Sequence, residues 1–363
     1  MSALSETQPL AATSRLDEWL QQLMARNGSD LLLVSGVPPC LRIAGSVERL
    51  QGDNLTGEQI QDAVLPTLTA HARRAYEETG ISDSSYRAAS IGRFRVNLHR
   101  QRGQAAATIR ALPSRIPSLK ELNLPPGIEQ LAGLRNGLVL IGGAAGSGKS
   151  TTVAALLHEI NQREARHIVT IEDPLEYEHQ HGMSVIEQVE IGVDAPDFPT
   201  ASRAALRQAP DILVVGEMRD PETMHIAVAA AETGHLVLST LHTNDIPSTI
   251  SRLSDSFPAE RQNTIRQELA MALSGVVVQM LLPGKAGGRV PAAELLMVGY
   301  GARQHIRRNA LQHLHQEITL TKKQGSFSLE DNLAQLVNRD LLDRDQALLA
   351  ANHPDDLKGL LRG

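Results

Sequence analysis

The spacing of hydrophobic and polar positions changes about one third of the way along the chain. In the first part, the stretch 15–26 places Trp19 and its leucines on one face, as in an amphipathic helix. Short alternating runs then predict several strands, followed by a longer helix over about 56–78. Two further strands, 93–101 and 104–112, are joined by a tight Arg-Gly turn and predict a hairpin. This part is expected to be a small α+β domain.

Beyond residue 126 the pattern consists of apolar runs that alternate with helix-like segments. The runs most typical of buried strands are LVLI (138–141), HIVTI (167–171), DILVV (211–215) and HLVLST (235–240). Continuous apolar strands separated by helices predict a parallel sheet that helices cover on both faces. Further strands are expected between 259 and 302, and the remainder is polar and helical in pattern. The second part is therefore predicted to be an α/β domain with a helical C-terminal region.

A proline-rich connector separates the two parts. Proline cannot donate a backbone hydrogen bond and is rare inside helices and central strands. The prolines that mark the connector are Pro113, Pro117, Pro125 and Pro126. We therefore expect an N-terminal domain at 1–113, a linker at 114–126 and a second domain at 127–363.

Composition narrows the class of protein. With 42% hydrophobic residues the chain can bury a large core. Its single cysteine, Cys40, excludes an internal disulfide, a CxxC redox pair and a four-cysteine zinc site. The N-terminus lacks the basic and apolar segments of a signal peptide, and no apolar stretch is long enough to span a membrane. We expect a cytoplasmic protein, which can still dock on a membrane complex.

The run from Gly143 to Ser150 matches the phosphate-binding pattern GxxxxGK[ST]. A predicted strand precedes it and an amphipathic helix follows it, which is the context this motif needs. Glycines let backbone N–H groups turn toward a phosphate, and the helix N-terminus adds partial positive charge. Lys149 can reach the β and γ phosphates of ATP, and Ser150 can hold Mg²⁺. The predicted nucleotide-binding residues are Gly143, Ala144, Ala145, Gly146, Ser147, Gly148, Lys149, Ser150 and Thr151.

Polar residues follow three of the predicted strands. In open α/β sheets ligands bind beyond the carboxyl ends of the strands, so these residues are expected near the phosphate loop. A carboxylate there can hold Mg²⁺ or orient the water that attacks the γ phosphate. The pattern does not choose the base among Glu172, Glu176 and Glu217. His235 and His242 bracket one strand, where they either serve as core or turn residues or respond to the γ phosphate.

Four segments in this order resemble the PilT-like motor ATPases of type IV pili, within the secretion ATPase superfamily. They are GGAAGSGKSTT (142–152), TIEDPLEYEH (170–179), DILVVGEMRD (211–220) and GHLVLSTLHT (234–243). The stretches GVPPCLRIAGSVERL and GRFRVNLHRQRG resemble the PAS-like N-terminal domain of that family. The resemblance implies a homohexameric RecA-like P-loop ATPase that binds ATP and Mg²⁺ between its two domains.

The resemblance also implies roles for single residues. Glu176 matches the catalytic glutamate of the family, Glu217 matches the glutamate associated with Mg²⁺, and His235 and His242 match its histidine box. The extension and type II secretion members carry a four-cysteine zinc motif that this chain lacks. This places the chain with the retraction motors, whose AIRNLIRE motif is represented here by the divergent segment 302–308.

The implied cellular role is ATP-driven type IV pilus retraction and twitching motility. The expected partners are the other subunits of the hexamer, a pilus platform protein of the inner membrane and a paralogous retraction ATPase. The expected location is the cytoplasm, at the inner-membrane pilus machine.

A basic stretch is open to three interpretations. Residues 84–120 contain seven arginines, one lysine and no acidic residue. They form a solvated sheet face, supply arginines that close over the γ phosphate, or line a nucleic-acid groove as in a RecA-like helicase. Arg95 and Arg110 are the leading catalytic candidates, followed by Arg102. Single-strand channels stack bases on aromatic side chains, and only 2% of the residues are aromatic, so no nucleic acid is expected.

Overall fold

The computed structural model describes residues 15–362, which divide into two compact units. One unit ends at Ser114 and the other begins at Arg115. The predicted polar start without a signal peptide falls on residues 1–14, which lie outside the described residues. Within 15–362, no helix combines the length and the apolar composition needed to cross a membrane.

The N-terminal unit contains a six-stranded antiparallel sheet with the strand order β3-β2-β1-β6-β5-β4. Its strands are β1 (Asp30–Leu33), β2 (Cys40–Ile43), β3 (Ser46–Arg49), β4 (Ile81–Ala88), β5 (Gly92–Gln101) and β6 (Gln104–Ala111). The predicted hairpin is confirmed as β5 and β6. Arg102 and Gly103 between them have φ values of 50° and 75°, a backbone that suits the twist of a two-residue hairpin.

Three helices accompany this sheet: α1 (Arg15–Ala25), α2 (Gly57–Val64) and α3 (Ala70–Thr79). The prediction of one helix over 56–78 is wrong. Pro66 has no N–H to donate, and the chain forms a short 3₁₀ turn there before Leu68 becomes extended. Thr69 then starts α3 by accepting a hydrogen bond from the N–H of Ala72. The apolar faces of α1 and α2 pack with Phe94 and its neighbours in one core.

The second unit contains a seven-stranded sheet with the order β13-β12-β7-β11-β10-β8-β9. Its strands are β7 (Gly137–Gly142), β8 (His167–Glu172), β9 (Val185–Glu190), β10 (Ile212–Glu217), β11 (Leu236–Leu241), β12 (Leu273–Pro283) and β13 (Arg289–Met297). The predicted parallel arrangement is confirmed for β7 to β12. The edge strand β13 pairs antiparallel with β12, because a short hairpin joins the two.

Helices line this sheet and form the C-terminal region. They are α4 (Lys149–Arg163), α5 (Phe198–Ala205), α6 (Pro221–Glu232), α7 (Ile246–Asp255), α8 (Ala259–Ala272), α9 (Tyr300–Arg307), α10 (Leu314–Leu320), α11 (Leu329–Asn338), α12 (Arg344–Ala350) and α13 (Pro354–Leu360). Successive strand residues enter two different cores: Leu213 packs with α6 and α8, and Val214 packs with α4. Burial on both faces explains why the central strands read as unbroken apolar runs.

Candidate functional site

The phosphate loop, residues 143–148, connects β7 to α4. Gly143, Gly146 and Gly148 have φ values of 151°, 75° and 88°. Residues other than glycine rarely adopt this backbone conformation. At Gly143 a Cβ atom would lie 2.3 Å from Oγ of Ser147 and 2.4 Å from the carbonyl oxygen of Gln279. The glycines thus allow both the bend and the close packing of the loop.

Lys149 is the first residue of α4 and is only 8% exposed. Its Nζ donates hydrogen bonds to the carbonyl oxygens of Gly143 (2.8 Å) and Ala144 (3.0 Å). Burial lowers the pKa of Lys149, while the nearby carboxylates of Glu217 and Glu176 oppose that shift. The ammonium is held directly at the phosphate loop, with negative charge from two strand ends close by.

The loop also presents a buried hydroxyl that suits a phosphate oxygen. Oγ of Ser147 is buried and has no hydrogen-bond partner among the described residues. A hydroxyl that has lost its water without gaining a partner is unfavourable, and an anion in the loop would supply the acceptor. Together with the N-terminus of α4 and Lys149, this donor set fits the phosphates of a nucleotide.

Gln279 on β12 fixes the phosphate loop from outside. The side chain is buried, its Nε2 donates to the carbonyl oxygen of Ser147 at 2.7 Å, and its Oε1 accepts from Oγ1 of Thr152 at 2.8 Å. No motif in the sequence marks Gln279 as a residue of the site. Nothing in the sequence connects it with a loop that lies far away along the chain, and only the pairing of β12 with β7 brings them together.

The acidic loop, residues 173–179, follows β8 and carries Glu176. Oη of Tyr177 in this loop lies 2.9 Å from Oγ1 of Thr151 in the first turn of α4, so the two loops are directly linked. Glu176 lies near enough to Lys149 to oppose the loss of its proton. The structure therefore brings Lys149, Thr151 and Glu176 to one edge of the sheet.

The other two candidate glutamates have different surroundings. Glu217 ends β10, where Nη2 of Arg219 lies 2.8 Å and Nε2 of His242 lies 3.6 Å from its carboxylate. Glu172 ends β8 and accepts a hydrogen bond from Oγ1 of Thr170 at 2.8 Å. Burial raises the pKa of Glu172 to about 7. A carboxyl with this pKa is partly protonated at neutral pH and is a weaker candidate for binding a cation.

The two histidines lie at opposite ends of β11. His242 follows the carboxyl end and contacts Glu217, as expected for a residue of the site. His235 precedes the strand, and its Nδ1 lies 2.9 Å from the carbonyl oxygen of Ala230 at the end of α6. At about 3.3 Å per strand residue, the two are separated by roughly 20 Å. The structure does not bring His235 to the phosphate loop of its own chain.

A pocket of about 400 Å³ opens beside the first turn of α4. Gly148, Thr151 and Thr152 form one side, and the other residues come from the segment after Ser114, from β12 and β13 and from the C-terminal region. These are Glu121, Leu122, Asn123, Leu124, Gln279, Leu281, Arg289, Val290, Pro291 and Leu341. The prolines of 114–126 predict only a linker there, so the contribution of Glu121 to Leu124 to the pocket was not predicted. A pocket of this size next to a phosphate loop, with both apolar and polar side chains in its lining, suits a nucleoside.

The arginine candidates lie in the N-terminal unit, on the sheet face opposite its core. Arg95 on β5 pairs with Arg110 on β6, and Arg110 pairs in turn with Asp30 on β1. Nε of Arg110 donates to Asp30 at 2.9 Å, and Arg42 approaches the same carboxylate at 3.4 Å. Arg95, Arg110 and Asp30 form a row across three neighbouring strands, which we call the arginine row. Arg102 lies apart from this row, in the hairpin turn. Arg95 and Arg110 are exposed, Asp30 is buried, and Nη2 of Arg95 lies 3.4 Å from Oδ1 of Asp83. Three arginines face two carboxylates here, so an exposed positive charge remains that can bind an anion.

The residues that match the AIRNLIRE motif, 302–308, lie on α9 and at its C-terminal cap, Arg308. Arg303 donates hydrogen bonds to the carbonyl groups of Ala270 and Met271 at the end of α8. Burial lowers its pKa, and so does the positive charge of Arg307. This contact ties α9 to α8, and none of these residues lines the pocket beside α4.

Comparisons with known proteins agree on one family. A family model described as "Type II/IV secretion system protein" matches residues 94–331. The Type IV pilus ATPase PilU of Pseudomonas aeruginosa is 36% identical over 95% of this chain and 91% of its own length. The Type IV pilus retraction ATPase PilT of the same organism is 37% identical over 91% of this chain and 96% of its own.

A solved structure extends this similarity to the fold. The crystal structure of the pilus retraction motor PilT with bound ADP is 40% identical to the chain and superposes with a TM-score of 0.87. The alignment covers 96% of this chain and all of the solved one. The predicted fold class, an α/β P-loop ATPase, is confirmed by this likeness.

Proposed function

Because the chain belongs to the type II/IV secretion system protein family, we propose that it is the ATPase whose hydrolysis of ATP powers type IV pilus retraction. The observation that carries this proposal is the meeting of Lys149, Glu176 and Glu217 beside the glycine loop at one edge of the sheet. Such a loop binds phosphates, and carboxylates next to it can serve hydrolysis.

In this proposal the phosphates of ATP are bound by residues 143–151 and the nucleoside occupies the pocket beside α4. Backbone N–H groups of the loop and the hydroxyl of Ser147 donate to phosphate oxygens, and Lys149 turns from the loop carbonyls to the phosphates. Leu122, Leu124 and Leu281 offer the apolar surface against which a base can pack.

Ser150 and Glu217 are the residues that would hold Mg²⁺. Magnesium is commonly bound through one or two carboxylates together with the phosphates of the substrate, which matches a hydroxyl and a carboxylate in this position. When bound, the ion would neutralise phosphate charge in the transition state. In this position Nη2 of Arg219 lies 2.8 Å and Nε2 of His242 lies 3.6 Å from the Glu217 carboxylate.

Glu176 is the best candidate for the residue that orients and deprotonates the attacking water. Glu172 is partly protonated and engaged with Thr170, and Glu217 is engaged with Arg219 and His242. Among residues 15–362, no hydrogen bond engages the carboxylate of Glu176, which lies close to Lys149. A free carboxylate next to the phosphate site is suited to general base catalysis.

The remaining roles follow from the family. Arg95 and Arg110, on the N-terminal domain of the same or a neighbouring subunit, would close over the γ phosphate in a homohexamer. Loss of that closure after hydrolysis would move the N-terminal domains (1–113) relative to the ATPase domains (127–363), with 114–126 as the connector. The moving ring would act on an inner-membrane platform protein from the cytoplasmic side, alone or with a paralogous ATPase.

The first test is steady-state ATP hydrolysis by the wild-type protein and by Glu176→Gln, with and without single-stranded DNA. We expect turnover to fall by about 10²- to 10⁴-fold in the variant, while binding of a fluorescent ATP analogue stays within twofold. Glu187→Gln makes the same chemical change on β9 at an exposed position and should leave turnover unchanged.

Two results would contradict the proposal. Unchanged turnover in Glu176→Gln would remove this residue from the role of base. Strong stimulation of the wild-type protein by DNA would favour a helicase or translocase, with the arginine row as its binding groove.

A further inference from the structure

The acidic loop lacks helical and strand hydrogen bonds of its own, so its backbone depends on side chains from elsewhere. The N–H groups of Leu175 and His179 donate to Glu190 Oε2 (3.3 Å) and Gln188 Oε1 (2.8 Å). The carbonyl oxygen of Tyr177 accepts from Nε2 of Gln188 at 2.9 Å. Two residues of β9 therefore supply partners on both sides of position 176.

The pairing of β8 with β9 explains how these side chains reach the loop. Thr170 lies opposite Gln188, and Glu172 lies opposite Glu190. Residues two apart on a strand point to the same face, so these four polar side chains form one patch. The patch thus holds the loop backbone at three of its seven residues, Leu175, Tyr177 and His179.

Gln188 makes the most contacts in the patch because its amide is both a donor and an acceptor. It binds one carbonyl and one N–H group of the loop, as a neighbouring strand would. Its Nε2 also lies 3.4 Å from Oε1 of Glu172. A carboxylate in its place would lack the donor, and a methionine of similar length would lack both functions.

We infer that Gln188 is a positioning residue for ATP hydrolysis, which holds the acidic loop so that the carboxylate of Glu176 stays beside Lys149. This inference rests on the proposed role of Glu176. Gln188 lines neither the phosphate loop nor the pocket beside α4, and it acts on the reaction through the backbone of Tyr177 and His179. A displacement of about 1 Å at a reacting group costs up to roughly 100-fold in rate.

The test is Gln188→Met, which keeps the length of the side chain and removes both hydrogen bonds. We expect kcat to fall about 10- to 100-fold, with the KM for ATP and the Kd of a fluorescent ADP analogue within twofold of the wild-type values. The matched control is Glu187→Gln on the same strand, which should leave all three unchanged. A fall in affinity without a fall in kcat would overturn the inference.

The double variant Gln188→Met/Glu176→Gln, measured by single-turnover hydrolysis, tests the route of the effect. If Gln188 acts through Glu176, its replacement has no further effect once Glu176 is gone. A further 10-fold loss in that background would overturn the inference and leave the role of Glu176 intact. If Glu176→Gln by itself has no effect, the proposed function fails first, and the two failures are distinguishable.

Gln188→Glu provides a second variant should the methionine variant fold poorly. A protonated carboxyl offers one donor and one acceptor, like the amide, and a carboxylate offers only acceptors. The ratio of its kcat to that of the wild-type protein should therefore rise as the pH is lowered from 8 to 6. The titratable neighbours Glu172, Glu176, His179 and Glu190 are the same in both proteins. A ratio that does not vary with pH would contradict the inference.

Discussion

The phosphate loop and the acidic loop lie at the same edge of one sheet, and each is held by a glutamine from another strand. Gln279 on β12 binds the carbonyl oxygen of Ser147, and Gln188 on β9 binds that of Tyr177. The phosphate loop has its own glycines and runs directly into α4. The acidic loop has no such local order and depends on β9 for most of its backbone contacts.

This difference indicates how the site can separate binding from hydrolysis. A local, glycine-rich turn at a helix N-terminus forms whenever strand and helix pack, and it provides affinity for phosphate. A loop that is held by side chains of a neighbouring strand can be displaced without disturbing the phosphate loop. Damage to the first loop should lower nucleotide affinity, and damage to the second should lower turnover.

The largest effect is expected from Lys149→Ala. This change removes the charge at the phosphate loop, so we expect about 10- to 100-fold weaker binding of ATP and at least about 100-fold slower turnover. Isothermal titration calorimetry and steady-state hydrolysis measure the two effects. Lys323→Ala removes an exposed lysine far along the chain and serves as the control. Wild-type affinity in Lys149→Ala would refute the assignment of the loop.

Gln279→Met should lower the affinity for ATP, whereas Gln188→Met should lower kcat. It removes the donor to Ser147 and the acceptor for Thr152, two buried hydrogen bonds that shape the phosphate loop. We expect ATP affinity to fall about 10-fold, with kcat at saturating ATP within threefold of the wild-type value. The KM and kcat of both variants, measured side by side, test this comparison. Equal effects on both parameters would show that the two loops do not act separately.

The smallest effect on activity is expected from Glu294→Gln on β13, outside both loops. The Glu294 carboxylate is buried next to Glu330 and accepts a hydrogen bond from the N–H of Ile246. Burial raises its pKa from 4.5 to about 7. Between these pH values the folded chain holds a proton that the unfolded chain has released. The free energy of unfolding should therefore decrease as the pH rises through this window.

An amide at position 294 keeps the acceptor and removes the titration. Glu294→Gln should be more stable than the wild-type protein at pH 8, by at most about 3 kcal/mol, and the difference should shrink toward pH 5. Thermal unfolding from pH 5 to 8 measures this, with Glu77→Gln at an exposed position of α3 as the surface control and ATP hydrolysis expected to be unchanged. A difference in stability that is constant with pH would contradict the prediction.

Features that depend on contiguous residues could be predicted from the sequence. The phosphate loop, the central strands and the hairpin at Arg102-Gly103 each follow from a short pattern that determines its own backbone. Pro66 could also have predicted the break in the helix expected over 56–78. The apolar residues on both sides of Pro66 have helical spacing, which favoured one continuous helix. The separation of His235 from His242 could likewise have been predicted, because the apolar run between them is long enough to place them at opposite ends of one strand.

Other features arose only from the tertiary structure. Gln279 and the residues that line the pocket beside α4 come from segments far apart along the chain, and no local pattern relates them. Gln188 is only 9 and 11 residues from its partners His179 and Tyr177, but the pairing of β9 with β8 decides that its side chain reaches them. The residue pattern leaves the base open among Glu172, Glu176 and Glu217, and the family resemblance points to Glu176. The fold adds the burial of Glu172 and the partners of Glu217, which support the proposed choice. A motif determines the backbone of its own few residues, whereas the side chains that hold it and set its charge are selected by the packing of the whole sheet.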